Sequence, residues 1–265
     1  MPSIRDQYSE IAAPAPATEA TAGTRILDFL FTIDRPEILT PGFSIMDPFQ
    51  QPVVQQVASA FYTRFYNDAT PRLFLFGINP GRFGAGITGI PFTDPWALRE
   101  KCGIESTLTG QRELSSEFIY LMIDRYGGAE SFWRDCYVGA VFPFALIKGE
   151  KNINYYDDRA LQTELTPFIV DSLHRQIAFG ARRDIGIVIG TGKNYAYLSR
   201  LNAEHRFFER LIPIDHPRFI MQYRRKRLDE YLDRYVTTIH AALNGGLHDS
   251  VSISCRPARP ISATI

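Results

Sequence analysis

The stretch Arg72–Pro95, RLFLFGINPGRFGAGITGIPFTDP, decides how the rest of the chain is read. After Arg72 it opens on a short apolar run, Leu73–Ile78, that ends at Asn79-Pro80, the pattern of a strand buried on both faces. Three more runs have the same character: Cys136–Phe142 (CYVGAVF), Ile185–Ile189 (IGIVI) and Arg210–Ile214 (RLIPI). Helical periodicity occupies 53–66, 113–127, 158–178, 193–209 and 222–243; in the last, Leu228, Tyr231, Leu232, Tyr235, Val236 and Ile239 recur at three and four. Strands alternating with helices predict an α/β fold with a mainly parallel sheet covered on both faces. Such a sheet binds its ligand beyond the carboxyl ends of its strands, so the residues just after 78, 142, 189 and 214 are the ones to inspect.

With 265 residues, 45% of them hydrophobic, the chain can bury one large core or at most two smaller ones. Lys+Arg and Asp+Glu both number 29, so no whole-protein field favours nucleic acid and any phosphate binding must come from a local patch. The three cysteines, Cys102, Cys136 and Cys255, have no CxxC spacing, which argues against a disulfide framework, a zinc site or an iron-sulfur cluster and fits a reducing cytoplasm. No metal or other cofactor is expected. No apolar run approaches the roughly 18 residues of a membrane helix, MPSIRDQYSE lacks the apolar run of a signal peptide, and no internal repeat recurs. The Ala-, Pro- and Thr-rich segment AAPAPATEATAGT and the Gly- and Pro-containing end predict tails over 1–24 and 244–265, flanking one domain over 25–243.

Six glycines and prolines between 80 and 91 predict a loop without regular structure, whose backbone amides a ligand can approach closely. Gly84–Gly89 (GAGITG) fits GxGxxG, but it starts six residues past the strand's end and runs into Pro91 and Pro95 instead of a helix, which rejects a dinucleotide site. Gly190-Thr191-Gly192-Lys193-Asn194 fails as a phosphate loop, because Ile187 stands at the first glycine position and Asn194 replaces Ser/Thr. It reads as a strand-to-helix turn lining the same cleft, with Gly190, Gly192 and Lys193 toward a nucleic acid.

Residues 77–92 match every fixed position of GxNPGxFGxxxTGxPF, ten positions in sixteen residues. In this the chain resembles the uracil-DNA glycosylase superfamily, specifically its single-strand-selective monofunctional branch. The second motif expected in that superfamily is His-Pro followed by a DNA-contacting loop, and Asp215-His216-Pro217-Arg218-Phe219-Ile220-Met221-Gln222-Tyr223 directly follows the fourth strand. The resemblance covers 50–240, and HPRFIMQYRRKR together with KNINYYD at 151–157 is similar to a bacterial sub-branch. It implies a single-domain three-layer sandwich around a four-stranded sheet, acting as a monomer on DNA in the bacterial cytoplasm, where its use would be nucleoid-associated.

The resemblance also implies roles. Breaking an N-glycosidic bond builds positive charge on the sugar and negative charge on the base, so a donor at the base oxygen and a positioned water are needed. His216 is the implied donor, with Pro217 restricting its backbone to extended geometry. Asn79 is the implied water-positioning residue; it replaces the aspartate of faster relatives, and an amide cannot act as a general base. Read without the resemblance, His216 is a loop histidine, Asn79 a turn-former before Pro80 and Phe92 a core residue. With it, Phe92 stacks on the base, Gly77 and Ile78 line the pocket, and Gly81 stands where stricter enzymes carry an aromatic that blocks the thymine methyl. One departure concerns the base range. Relatives read the Watson-Crick edge with an asparagine where this chain has Ala140, which cannot make those hydrogen bonds. Either Asn152 or Asn154 substitutes, or the range widens toward xanthine and hypoxanthine.

Arg218, Arg224, Arg225, Lys226 and Arg227 cluster near the start of the last helix, where cations oppose the helix dipole. A DNA backbone there would explain them, with Phe219, Ile220 and Met221 wedging into the base stack. A solvated face with Arg225–Asp229 and Lys226–Glu230 pairs at i,i+4 is the competing reading. Three functions follow in order: a DNA glycosylase, a damaged-DNA binding module of the same fold, and a nucleotide enzyme using the glycine loop.

Overall fold

The computed structural model describes residues 20–245; the expected tails over 1–24 and 244–265 lie almost wholly outside the described residues. Where the first does not, it is overturned: α1 (Ala22–Thr32) begins inside it, because Thr21 accepts the N–H of Thr24 as an N-cap. Gly23 lets this helix sit against α2 (Pro52–Phe65), since a Cβ there would lie 2.5 Å from the Tyr62 carbonyl oxygen.

All four expected central strands form. They are β2 (Arg72–Gly77), β3 (Cys136–Ala140), β6 (Ala181–Ile189) and β7 (Arg210–Ile214), and the sheet order β3-β2-β6-β7 is parallel throughout. β2 lies second in the sheet, pairing Leu75 with Val138 on one side and Ile187 on the other, and all six of its residues are buried. Pro213 is tolerated because β7 is an edge strand. Arg72 at the start of β2 is buried yet satisfied, donating to the Trp133 carbonyl at 3.0 Å and pairing with Asp68 at 3.1 Å.

A second sheet was not legible in the sequence: β1 (Phe43–Met46), β4 (Ala145–Lys148) and β5 (Lys151–Ile153) pair antiparallel in the order β1-β4-β5. β4 and β5 form a tight hairpin through Gly149, whose φ of 59° suits glycine. Helices α3 (Ala85–Thr88), α4 (Pro95–Glu100), α5 (Leu114–Tyr126) and α6 (Ala129–Asp135) fill the path from β2 to β3. α3 corrects the expectation of a loop with no regular element: Gly84 opens one helical turn, and Gly89, at φ 73°, closes it.

Beyond the hairpin come α7 (Arg159–Ile177) and α8 (Lys193–His205). The expected helix over 222–243 is divided into α9 (Pro217–Tyr223), a 3-10 turn at Arg225–Arg227, and α10 (Leu228–Leu243). Consequently the residues after His216 are helical, not a loop. Among the described residues no helix is long and apolar enough to cross a membrane.

Candidate active site

β2 delivers Asn79 two residues past its end, and backbone groups of the hairpin arm clamp the side chain. Asn79 Nδ2 donates to the carbonyls of Ile153 at 3.0 Å and Pro80 at 3.3 Å, while the Tyr155 N–H donates to Oδ1 at 3.2 Å. A carbonyl can only accept and a backbone N–H only donate, so these bonds set which way the amide faces. Both amide hydrogens are occupied, and the second lone pair of Oδ1 is left to hold a water.

β7, the edge strand two places from β2, delivers His216 two residues past its end. The preceding residue is anchored twice, by the Tyr235 hydroxyl donating to the Asp215 carbonyl and by Arg234 against the Asp215 carboxylate at 3.2 Å. His216 is the N-cap of α9, its Nδ1 accepting the Arg218 N–H at 3.2 Å, and Pro217 occupies the first helical position. Burial, and secondarily the Arg218 guanidinium, lower its pKa from 6.5 to about 4. The ring is therefore neutral at pH 7 with its proton on Nε2, a hydrogen-bond donor at the pocket wall.

Phe92 forms the pocket's aromatic side. Its backbone is left-handed, at φ 52°, an uncommon state for a bulky residue, held here by the Thr88 hydroxyl donating to the Thr93 carbonyl at 2.6 Å. The ring lies against Gly77, where a Cβ would come within 2.9 Å of it, and its centroid is 6.0 Å from that of His216.

These groups surround a cavity of about 330 Å³. Asn79, His216, Gly77, Ile78, Gly81, Phe92 and Ala140 all line it, so the residues singled out for catalysis and base binding meet in one place. Ala140 presents only a methyl group, while its carbonyl accepts from Gln176 at 3.0 Å. Asn152 and Asn154 both reach the wall. Glu113, Ser115, Tyr156, Gln222 and Tyr223 also line the cavity and were missed. Gln222 and Tyr223 stood inside the quoted His-Pro segment; Glu113 and Ser115 carry no motif, and only contact across the fold reveals them.

Several residues expected at the DNA surface sit otherwise. Ile220 and Met221 are buried on the inner side of α9 and cannot wedge into a base stack from there, leaving Phe219, 37% exposed, and Tyr223, 67% exposed, at the rim. Gly190, Gly192 and Lys193 do not line the cavity; Lys193 instead lies over the ring of Tyr156, 5.8 Å from its centroid. The expected i,i+4 pairs are absent because the 3-10 turn breaks helical spacing: Arg225 pairs with Glu117 at 3.2 Å, Arg227 with Glu230 at 2.6 Å, and Asp229 with Arg125 at 2.7 Å. Arg218, Arg224 and Lys226 have no ion-pair partner among the described residues. Nor do three His, Cys, Asp or Glu side chains group to hold a metal among those residues.

A parallel sheet carrying a neutral histidine donor and an oriented amide at one cavity belongs to a known class. The family model "Uracil DNA glycosylase superfamily" matches residues 63–240, and the chain belongs to that superfamily, hydrolases that act on bases in DNA. Among solved structures it is similar to wild-type Pedobacter heparinus SMUG2, with 38% identity and a TM-score of 0.82 over 84% of this chain and 99% of that one. No curated protein matches.

Proposed function

We propose that this protein is a monofunctional, monomeric DNA glycosylase of base excision repair in the bacterial cytoplasm. It removes uracil and related deaminated or modified bases, among them 5-hydroxymethyluracil, xanthine and hypoxanthine, and leaves an abasic site in an uncut strand. The observation that carries this reading is the convergence of Asn79 and His216, each oriented by backbone hydrogen bonds, on one cavity walled by Phe92.

A base flipped from the strand stacks on Phe92, a contact worth about 1–3 kcal/mol. His216 Nε2–H donates to the pyrimidine O2 as the C1′–N1 bonding pair moves onto the base. The sugar becomes oxocarbenium-like, and water held by Asn79 Oδ1 forms the new bond to C1′ and releases its proton to solvent. With an amide in place of a carboxylate the water is oriented but not deprotonated, so the route is dissociative. No lysine stands among the described residues that line the cavity, which supports a strand left intact.

The methyl group of Ala140 favours one second reading, a damaged-DNA binding module with weak catalysis, since the usual pair of base contacts is missing there. Single-turnover assays on oligonucleotides carrying uracil, 5-hydroxymethyluracil, xanthine or hypoxanthine separate the two. Alkali-dependent strand breaks support the glycosylase; tight binding without abasic product supports the module. Covalent trapping by borohydride would overturn the monofunctional mechanism, and sedimentation tests the monomer.

A further inference from the structure

Glu113 is the N-cap of α5, yet its side chain caps nothing and lines the base cavity instead. Its backbone is pinned there: the Glu113 N–H donates to Asp94 Oδ2 at 3.0 Å, and Asp94 Oδ1 accepts the Ala97 N–H at 2.8 Å. The carboxyl group fills the space vacated by two glycines of the first motif. A Cβ on Gly84 would lie 1.8 Å from Glu113 Oε2, and one on Gly81 would lie 3.1 Å from Oε1 and 3.7 Å from Asn152 Nδ2. No donor among the described residues bonds either carboxyl oxygen, so the group does not tie the loop together. A carboxyl held in a cleft without a partner is costly unless a ligand supplies one.

We propose that Glu113 is a base-contacting residue that sets which bases the pocket accepts, meeting the base edge that faces Gly81. This rests on the glycosylase reading and on Gly81 as the wall beside the pyrimidine 5-position. A purine seated with N9 in place of N1 turns its N7 toward that same wall. In its acid form, which burial favours, this carboxyl offers one O–H donor and one acceptor oxygen. It pairs with the hydroxyl of a 5-hydroxymethyl group, or donates to N7 of hypoxanthine or xanthine, whereas uracil presents only a C–H there. Two glycines thus open the wall and a carboxyl from another helix supplies its polarity.

The charged groups facing Glu113 act in opposite directions. Burial and then the Asp94 carboxylate raise its pKa, and Arg218 of α9 lowers it by less. Arg112, its chain neighbour, faces Asp94 at 3.8 Å. The acid form is lost as pH rises through the raised value, so hypoxanthine cleavage should carry an alkaline limb that uracil cleavage lacks.

The test is single-turnover cleavage of uracil, 5-hydroxymethyluracil and hypoxanthine oligonucleotides by wild type, Glu113→Ala and Glu113→Gln, with thermal unfolding as the check on folding. Glu113→Ala should lower the 5-hydroxymethyluracil and hypoxanthine rates at least about tenfold more than the uracil rate. Glu113→Gln, which keeps an N–H donor, should recover part of that loss and abolish the alkaline limb. Equal factors on all three bases, an alkaline limb persisting in Glu113→Gln, or a wild type that cleaves uracil alone would each overturn the role of Glu113. A wild type that cleaves none of them would instead sink the glycosylase reading itself.

Discussion

His216 Nδ1 accepts the backbone N–H of Arg218, so a single contact caps α9 and selects the Nε2–H tautomer of a ring that lines the cavity. Helix capping and the protonation state of a cavity-lining ring are thus coupled through one side chain.

Histidine-selective NMR should show His216 neutral and protonated at Nε2 at pH 7, titrating near pH 4. Because its pKa is depressed on folding, the unfolded chain binds the proton first. The stability that His216 contributes is thus complete above the ordinary histidine value and is lost progressively as pH falls through about 4. A midpoint near 6.5, or the Nδ1–H tautomer, would contradict the cap geometry. His216→Ala should reduce single-turnover cleavage by about a hundredfold or more.

If the amide acts on water after the base is seated, as proposed, Asn79→Ala should slow the chemical step by about a hundredfold while binding of uracil-containing DNA stays close to wild type. Quench-flow rates alongside anisotropy titrations check the split. Weakened binding at an unchanged rate would assign Asn79 to base recognition instead.

Tyr155→Phe should cost about 1–3 kcal/mol in urea unfolding with little change in cleavage rate. The Tyr155 hydroxyl donates to the buried Asn194 Oδ1 at 2.7 Å, whereas the bond to Asn79 comes from its backbone N–H and survives the substitution. Unchanged stability would show that Asn194 finds another donor.

Arg224→Ala and Lys226→Ala should each flatten the log-log salt dependence of DNA binding by about one. Arg225→Ala should do less, since its guanidinium already pairs with Glu117 at 3.2 Å. Identical slopes for all three would mean that the ion pair yields to phosphate at no cost.

The central sheet was legible because each of its strands is a short apolar run, and fully buried parallel strands need no alternation to be recognised. β6 begins four residues earlier than the apolar run Ile185–Ile189, since Arg182, Arg183 and Asp184 carry charge and do not read as a buried strand; Arg182 pairs with Asp184 at 2.6 Å. The antiparallel sheet escaped notice for another reason: its strands of three or four residues hold too few alternations to register, and β5 is largely exposed. Asn79, Phe92 and His216 stand in contiguous motifs and were visible. Glu113 was not, since its meaning comes from Gly81 and Gly84, some thirty residues earlier, and glycines say nothing about what fills the space they leave. The inward turn of Ile220 and Met221 likewise depends on α9 being a helix, which the loop expectation did not allow.

The clamp on Asn79 is made by main-chain atoms alone, the Pro80 carbonyl beside it and the Ile153 and Tyr155 groups of the segment that carries Asn152 and Asn154, and main-chain carbonyls are the same whatever side chain stands at 152 and 154. Side chains at 152 and 154 can therefore change the wall of the cavity while the bonds that orient the Asn79 amide stay as they are. The two jobs of this hairpin, holding an amide and shaping a cavity, are carried by different atoms and can vary separately.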